Sequence, residues 1–198
     1  MNDTRRHLVI IGGGPAGTQA ATTAASKGGR VTLIEKEIVG GAAHLWDCIP
    51  SKTMAAAALR HSSVRNAAKL GLATEPTKVD IGVLSGRIKA ITGDINRNWL
   101  ELLESQTVEV IYGQGRFVSD REVVVETELG ERRVGFDRAM VSTGSAPRIP
   151  EWAPVDGEKV LTTRTVTTWS ISPSTWSSSG PESPAWSSPT SSRASGQR

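Results

Sequence analysis

Residues 7–17, His-Leu-Val-Ile-Ile-Gly-Gly-Gly-Pro-Ala-Gly, constrain the fold more than any other stretch of this chain. Four consecutive apolar residues, Leu8 to Ile11, run straight into the glycines. A strand covered on both faces, central in a parallel sheet, reads this way. The turn that follows suits Gly12 for the tight bend, Gly14 for close approach of a pyrophosphate and Gly17 for packing of a helix against the strand. The alanine-rich segment Ala16 to Lys27 is that helix, and the free amides at its start form an anion site. A second strand, Arg30 to Ile34, ends at Glu35, 23 residues after Gly12. A carboxylate there accepts from an adenosine ribose hydroxyl, and it favours an unphosphorylated ribose. FAD or NAD therefore fits better than NADP.

Composition narrows the remaining classes. The 198 residues suit one domain or a small pair, and 37% apolar content with 22% charge supplies both a core and a polar surface. The net charge of +3 is small and its basic residues are scattered, which gives no electrostatic case for nucleic acid. No apolar run approaches the roughly 18 residues of a membrane helix, and the amino terminus lacks a signal pattern. The single cysteine excludes an intrachain disulfide and suggests a reducing, cytoplasmic setting.

Beyond Glu35, Pro50 suits the first turn of a helix, which places Cys48 beside a helix start with Lys52 one turn on. Both features favour the thiolate; a buried, inert thiol is the alternative. The helix ends near Gly71, a suitable cap. His61 has no ligand partners, and no metal site is read. From Asp80 to Leu103 a second long helix carries Ile81, Leu84, Ile88, Ile91, Ile95, Trp99 and Leu102 as one apolar stripe. The period then changes. Val108 to Tyr112 is a strand, Gly113 to Phe117 leads into another, and Glu122–Thr127 with Arg132–Phe136 form a solvent-facing meander around residues 128–131. Arg138 to Ser142 returns to the parallel sheet and stops at Thr143-Gly144. Residues 159–162 read as a short strand. The expected fold is α/β: a Rossmann-like domain over residues 1–166, with a parallel central sheet, a long helical insertion and a small antiparallel meander.

Residues 167–198 form a second region. From Trp169 onward it holds twelve serines, four prolines and half of the chain's six tryptophans, with no helical or strand period. Its composition reads as disordered. Tryptophan has one codon, and in a GC-rich gene with mostly TCG serines and GAG glutamate the stretch 176–186 changes when read one base earlier. It becomes apolar-Val-Val-Val-Gly-x-Gly-Val-x-Gly-apolar, a strand followed by a second glycine fingerprint. The expectation is that this tail is out-of-frame translation. Serines encoded by AGC or AGT would remove that expectation.

On these residues the chain resembles the flavoprotein pyridine nucleotide-disulfide oxidoreductases, the dihydrolipoamide dehydrogenase-like family. The resemblance covers residues 7 to about 166, roughly the amino-terminal third of a full-length member. Its most specific part is Gly40-Gly41 through Cys48-Ile49-Pro50-Ser51-Lys52. Family members carry two cysteines here, separated by four residues; Cys48 matches the second, and Ala43 stands where the first belongs. One cysteine cannot cycle as an intrachain dithiol. The chain is most similar to the NAD(P)H quinone reductase subgroup, which shares this departure. The resemblance implies a flavin enzyme passing reducing equivalents from NAD(P)H to a quinone or another diffusible acceptor. A dihydrolipoamide dehydrogenase-like disulfide reductase and a non-catalytic FAD-binding fragment are the alternatives.

It also implies residue roles. Gly12, Gly14, Pro15, Ala16 and Gly17 would hold the FAD pyrophosphate, and Glu35, with Lys36 beside it, the adenosine ribose. Gly41, Ser51 and Lys52 would line the flavin and its phosphate side, Gly115 the adenine, and Thr143 with Gly144 would close over the cofactor. Cys48 against the flavin and Lys52 near its N5 are the candidate catalytic residues, since a cation there stabilises an anionic reduced ring. The family's nicotinamide and dimerisation domains, and the partner subunit that completes its active site, are expected only in a full-length homodimer. The chain as given is expected to bind FAD weakly, to turn over little, and to expose apolar faces that favour aggregation.

Overall fold

A computed structural model describes residues 5–166. In chain order the elements are β1 (His7–Ile11), α1 (Pro15–Ser26), β2 (Arg30–Glu35), a π-helical segment (Ala43–Cys48), α2 (Ile49–Asn66), a 3-10 turn (Ala67–Leu70), α3 (Ile81–Ser105), β3 (Glu109–Tyr112), β4 (Gln114–Phe117), β5 (Glu122–Thr127), β6 (Gly130–Gly135), β7 (Arg138–Val141) and α4 (Thr163–Val166). Four strands form a parallel sheet in the order β3-β2-β1-β7, and β4-β5-β6 form an antiparallel meander.

The apolar run of β1 is continuous because both its faces are covered, as the sequence predicts. Val9 and Ile11, with Ile34 and Ile111, pack against Val123, Val125 and Val134 of the meander. Ile10, one residue out of phase, packs with Leu33, Val31 and Val108 against Ala21 of α1 and Leu103 of α3. The order is meander, sheet, helices: three layers around one central strand. Each fully buried Val, Leu or Ile contributes about 1.5–3 kcal/mol, so the two-sided burial of β1 anchors the domain.

The helical insertion between β2 and β3 follows the sequence closely. Asp80 caps α3, its Oδ1 accepting from the Val83 N–H at 2.9 Å. Gly71, at φ +76°, closes the preceding helix. Trp99 packs into the core beside α1, as its place in the stripe implies. The last turn of the stripe rotates by one residue: Leu103 is fully buried, whereas Leu102 is 40% exposed.

Two other boundaries differ. The meander turn is shorter than the sequence suggests, because β6 begins at Gly130, paired with Thr127, and leaves only Glu128 and Leu129 between the strands. Residues 159–162 do not form a strand. Asp156 Oδ1 instead accepts from the N–H groups of Glu158, Lys159 and Val160, at 2.9, 2.8 and 2.8 Å. That folds the backbone into a turn leading to α4. The same three donors hold the Asp156 carboxyl below its ordinary range. The readings made for the tail lie outside the described residues.

Candidate functional site

The glycine turn sits where β1, β2 and β7 end together. Gly12 adopts φ +106°, and a Cβ there would lie 2.3 Å from the Ser142 carbonyl oxygen at the end of β7. Ser142 ties the strands together: its N–H donates to the Ile11 carbonyl at 2.8 Å and its hydroxyl to the Gly12 carbonyl at 2.9 Å. A Cβ on Gly17 would lie 1.9 Å from the Gly12 carbonyl oxygen, so α1 rests directly on the turn. Gly14 differs, since nothing comes nearer to its Cβ position than the Gly41 Cα at 4.0 Å. Its open side leaves room for a ligand.

The start of α1 is bare. Gly14 is its cap residue and offers no side chain, Pro15 has no N–H, and the first turn contains no acid. Amides at such a start lack intrahelical acceptors and attract an anion through both hydrogen bonding and the helix dipole. Two further glycines close this end. Gly40 donates to the Gly13 carbonyl at 2.8 Å. Gly41, at φ +72°, stands so near Gly14 that a Cβ would lie 2.5 Å from the Gly14 Cα.

Glu35 is 9% exposed and its carboxylate is fixed at both oxygens. Oε2 accepts from the Gly13 N–H at 2.6 Å, and Oε1 from the Glu37 N–H at 2.7 Å. Each oxygen keeps lone pairs for a further donor such as a ribose hydroxyl. Lys36 is exposed beside it, 3.9 Å from Glu37. Thr143 and Gly144 follow β7 directly, exposed and next to the turn, with Gly144 at φ +69°. The structure thus gathers Gly12, Gly14, Pro15, Ala16, Gly17, Glu35, Gly41, Thr143 and Gly144 at one end of the sheet.

Gly115 lies between the sheet and the meander. A Cβ there would meet Ile34, Ile11 and Val123 at 3.3–3.5 Å, where the meander closes on the sheet.

Cys48 does not stand at a helix start. Helical backbone begins at Ala42, directly after Gly41, and runs through the π-helical segment into α2 without a break. Cys48 is itself helical, at φ −71°, ψ −53°. The widened turn accommodates Pro50, which lacks the N–H for a normal helical bond and would crowd the carbonyl four residues back. Consistent with this, the Ile49 N–H donates to the His44 carbonyl, five residues back. The dipole argument therefore belongs to residues 41–42, facing Gly14, and not to the thiol. Nor is the cysteine buried: Cys48 is exposed, as is Ala43 one π turn before it. Lys52 is exposed on α2, eleven residues beyond Gly41. The Ser51 hydroxyl donates to the Cys48 carbonyl at 3.0 Å.

Three features escape sequence reading because they depend on long-range packing. Arg164 of α4 lies over the Trp46 ring, 4.6 Å from its centroid, and 3.6 Å from Glu37, docking α4 on the π-helical segment. One buried carboxylate oxygen of Asp47 has no hydrogen-bond partner among the described residues. Tyr112, the last residue of β3, lies in register with Glu35.

Comparison with known proteins agrees with this geometry. The family model described as pyridine nucleotide-disulphide oxidoreductase matches residues 6–174. A dihydrolipoyl dehydrogenase of Bacillus subtilis is 31% identical, over 84% of this chain and 37% of its own. An NAD(P)H dehydrogenase (quinone) of Mycobacterium tuberculosis is 33% identical, over 79% of this chain and 34% of its own. The crystal structure of LpdA from Mycobacterium tuberculosis superposes with a TM-score of 0.76 at 32% identity, over 84% of this chain and 38% of that one. This chain spans a little over a third of the length of the curated relatives it matches.

Proposed function

The chain belongs to the pyridine nucleotide-disulphide oxidoreductase family, and from that premise we propose that it carries the FAD site of an NAD(P)H-dependent oxidoreductase whose acceptor is a quinone or another diffusible molecule. One observation carries the choice of acceptor. Positions 43 and 48 are both exposed one π turn apart, and only the second is a cysteine. Without a second thiol in the chain, electrons have no internal dithiol to pass through. The 33% identity to a protein named as an NAD(P)H dehydrogenase (quinone) supports the same reading.

The residues fit the cofactor. The bare start of α1 and the room beside Gly14 suit the pyrophosphate, and the fixed carboxylate of Glu35 suits the ribose hydroxyls. FAD, when bound, supplies the redox chemistry, accepting reducing equivalents from NAD(P)H and passing them on. The chain positions and stabilises. Thr143 and Gly144 cover the turn from the β7 side. Lys52, with no ion-pair partner among the described residues, brings a free cation to the flavin side. Cys48 would face the flavin as a single thiol.

The test is reconstitution of the 198-residue chain with FAD, followed by NADH or NADPH oxidation with a benzoquinone or with lipoamide. The expected result is bound flavin and no lipoamide reduction. Reduction of lipoamide would overturn the acceptor assignment, and bound flavin without turnover of any acceptor would leave an FAD-binding chain. Ala43→Cys supplies the missing thiol. After oxidation its free-thiol titration is expected to fall from two to none.

A further inference from the structure

The π-helical segment and α2 carry Cys48 and Lys52 on their exposed side. Trp46 and Pro50 each stand two residues before one of these, and residues two apart on a helix project to nearly opposite sides. That opposite side faces α3 across a cleft of about 230 Å³. Ile38, Leu45, Trp46 and Pro50 form one wall, and Ile88 is the apolar part of the other; Leu45, Pro50 and Ile88 are buried. The Arg164 guanidinium, 4.6 Å from the ring centroid, holds Trp46 in place. No side chain fills the cleft from α3 at Gly93, which lines it and has nothing within 4 Å of its Cβ position. The cleft is separate from the glycine turn and from Glu35.

Its polar lining is confined to three side chains of α3, Lys89, Thr92 and Asn96, spread over two turns. Thr92 gives its hydroxyl proton to the Ile88 carbonyl at 3.0 Å, and its oxygen keeps a lone pair. Asn96 donates to the Val39 carbonyl at 2.8 Å, which leaves its amide oxygen without a donor among the described residues. Lys89 is exposed and has no ion pair among the described residues. The unmet needs of the cleft are therefore an anion and a hydrogen-bond donor, between apolar walls. We infer that it binds a small aromatic carboxylate that also carries a hydroxyl group. Volume sets the size: pockets for drug-sized ligands begin at roughly 300 Å³, so a single ring fits and a nucleotide does not. The ring lies against Trp46, Pro50 and Ile88, the carboxylate meets Lys89, and the hydroxyl donates to Thr92 or Asn96. Such a ligand bears from behind on the helix that carries Cys48 and Lys52, and its site does not require FAD to be bound.

The experiment is calorimetric titration of the 198-residue chain with 4-hydroxybenzoate, and with 4-hydroxybenzyl alcohol as its uncharged counterpart. Far-UV circular dichroism confirms the fold of each variant. The parent chain is expected to bind the acid about fivefold more tightly than the alcohol, the upper range for an ion pair at an exposed lysine. Lys89→Ala is expected to lose that preference and bind the two alike. Thr92→Phe fills the cleft and is expected to weaken both by about tenfold or more, through loss of the burial of the ring. Should that variant fail to fold, Gly93→Leu places its side chain in the open space beside α3 and is expected to weaken both in the same way. Absence of saturable binding by the parent, equal affinity for acid and alcohol, or unchanged affinity in the cleft-filling variant would overturn the assignment.

Discussion

At the amino ends of the parallel strands, polar side chains hydrogen-bond one another, whereas at the carboxyl ends the first turn of α1 has no side chain to cap it. The amino-end network begins at His7, whose Nε2 lies 2.8 Å from the Thr32 hydroxyl. Thr32 donates its one proton to Glu109 Oε2 at 2.9 Å, so its oxygen accepts from the His7 ring N–H. Arg132 of the meander donates to the other Glu109 oxygen. The His7 backbone N–H donates to Asp137 Oδ2 at 2.8 Å. β1, β2, β3, β6 and the approach to β7 are thereby stitched together. At the opposite end glycines stand where side chains would close the surface, and backbone donors remain for a ligand. A closed end supplies stability, and an open one supplies a site. The same sheet holds both because a parallel arrangement points every strand's last residues, and the start of the following helix, to one edge.

The comparison breaks most severely at Gly17. Gly17→Ala drives a methyl into the Gly12 carbonyl and is expected to destabilise the fold by about 3 kcal/mol or more, with loss of FAD binding. Gly93→Ala, on α3 with nothing within 4 Å of its Cβ position, is the matched control. It is expected to stabilise by about 0.5–1 kcal/mol through helix propensity. Equal urea midpoints for the two variants would remove the claim that α1 rests on the turn.

The next effect is on pH. Burial, with the Arg30 charge, holds the His7 imidazole below its ordinary value of 6.5, against the pull of the Gly135 carbonyl and the Glu109 and Asp137 charges. The unfolded chain then binds the proton more readily. Stability is full above pH 6.5 and falls as the pH drops through the lower folded value. Glu109 adds a second, more acidic window. Burial opposes its charge, but hydrogen bonds from Arg132 and Thr32 and the charges of Arg132 and Arg30 outweigh it. They hold the carboxyl below 4.5, and stability is lost as pH falls through that lower value. Urea unfolding across these ranges should show the first decline, and His7→Gln should flatten it. A parent curve level from pH 7.5 to 5 would contradict the amino-end network.

The smallest effect belongs to Asp80→Ala. It removes the side-chain cap of α3 and is expected to cost about 1 kcal/mol while leaving FAD affinity unchanged. A loss of affinity equal to the loss of stability would mean that the insertion and the site are one cooperative unit.

What sequence determined here is local. The glycine spacing after a four-residue apolar run specifies strand, turn and helix because only glycine tolerates φ +106° at residue 12 and the 1.9 Å approach at residue 17. The acid at the end of β2, the period of α3 and the cap at Gly71 were legible for the same kind of reason, since each is written within a few turns of chain. Tertiary structure decided what lies side by side. The continuity of helix through Cys48 moved the positive helix end to residues 41–42, because Gly41 packs on Gly14 from across the turn. Gly115 meets Ile34 and Val123 because two other strands bring them there. Tyr112 gained its place beside Glu35 only from the register of β3 on β2. Contacts between residues so far apart in sequence depend on how the layers pack, and no local pattern encodes that.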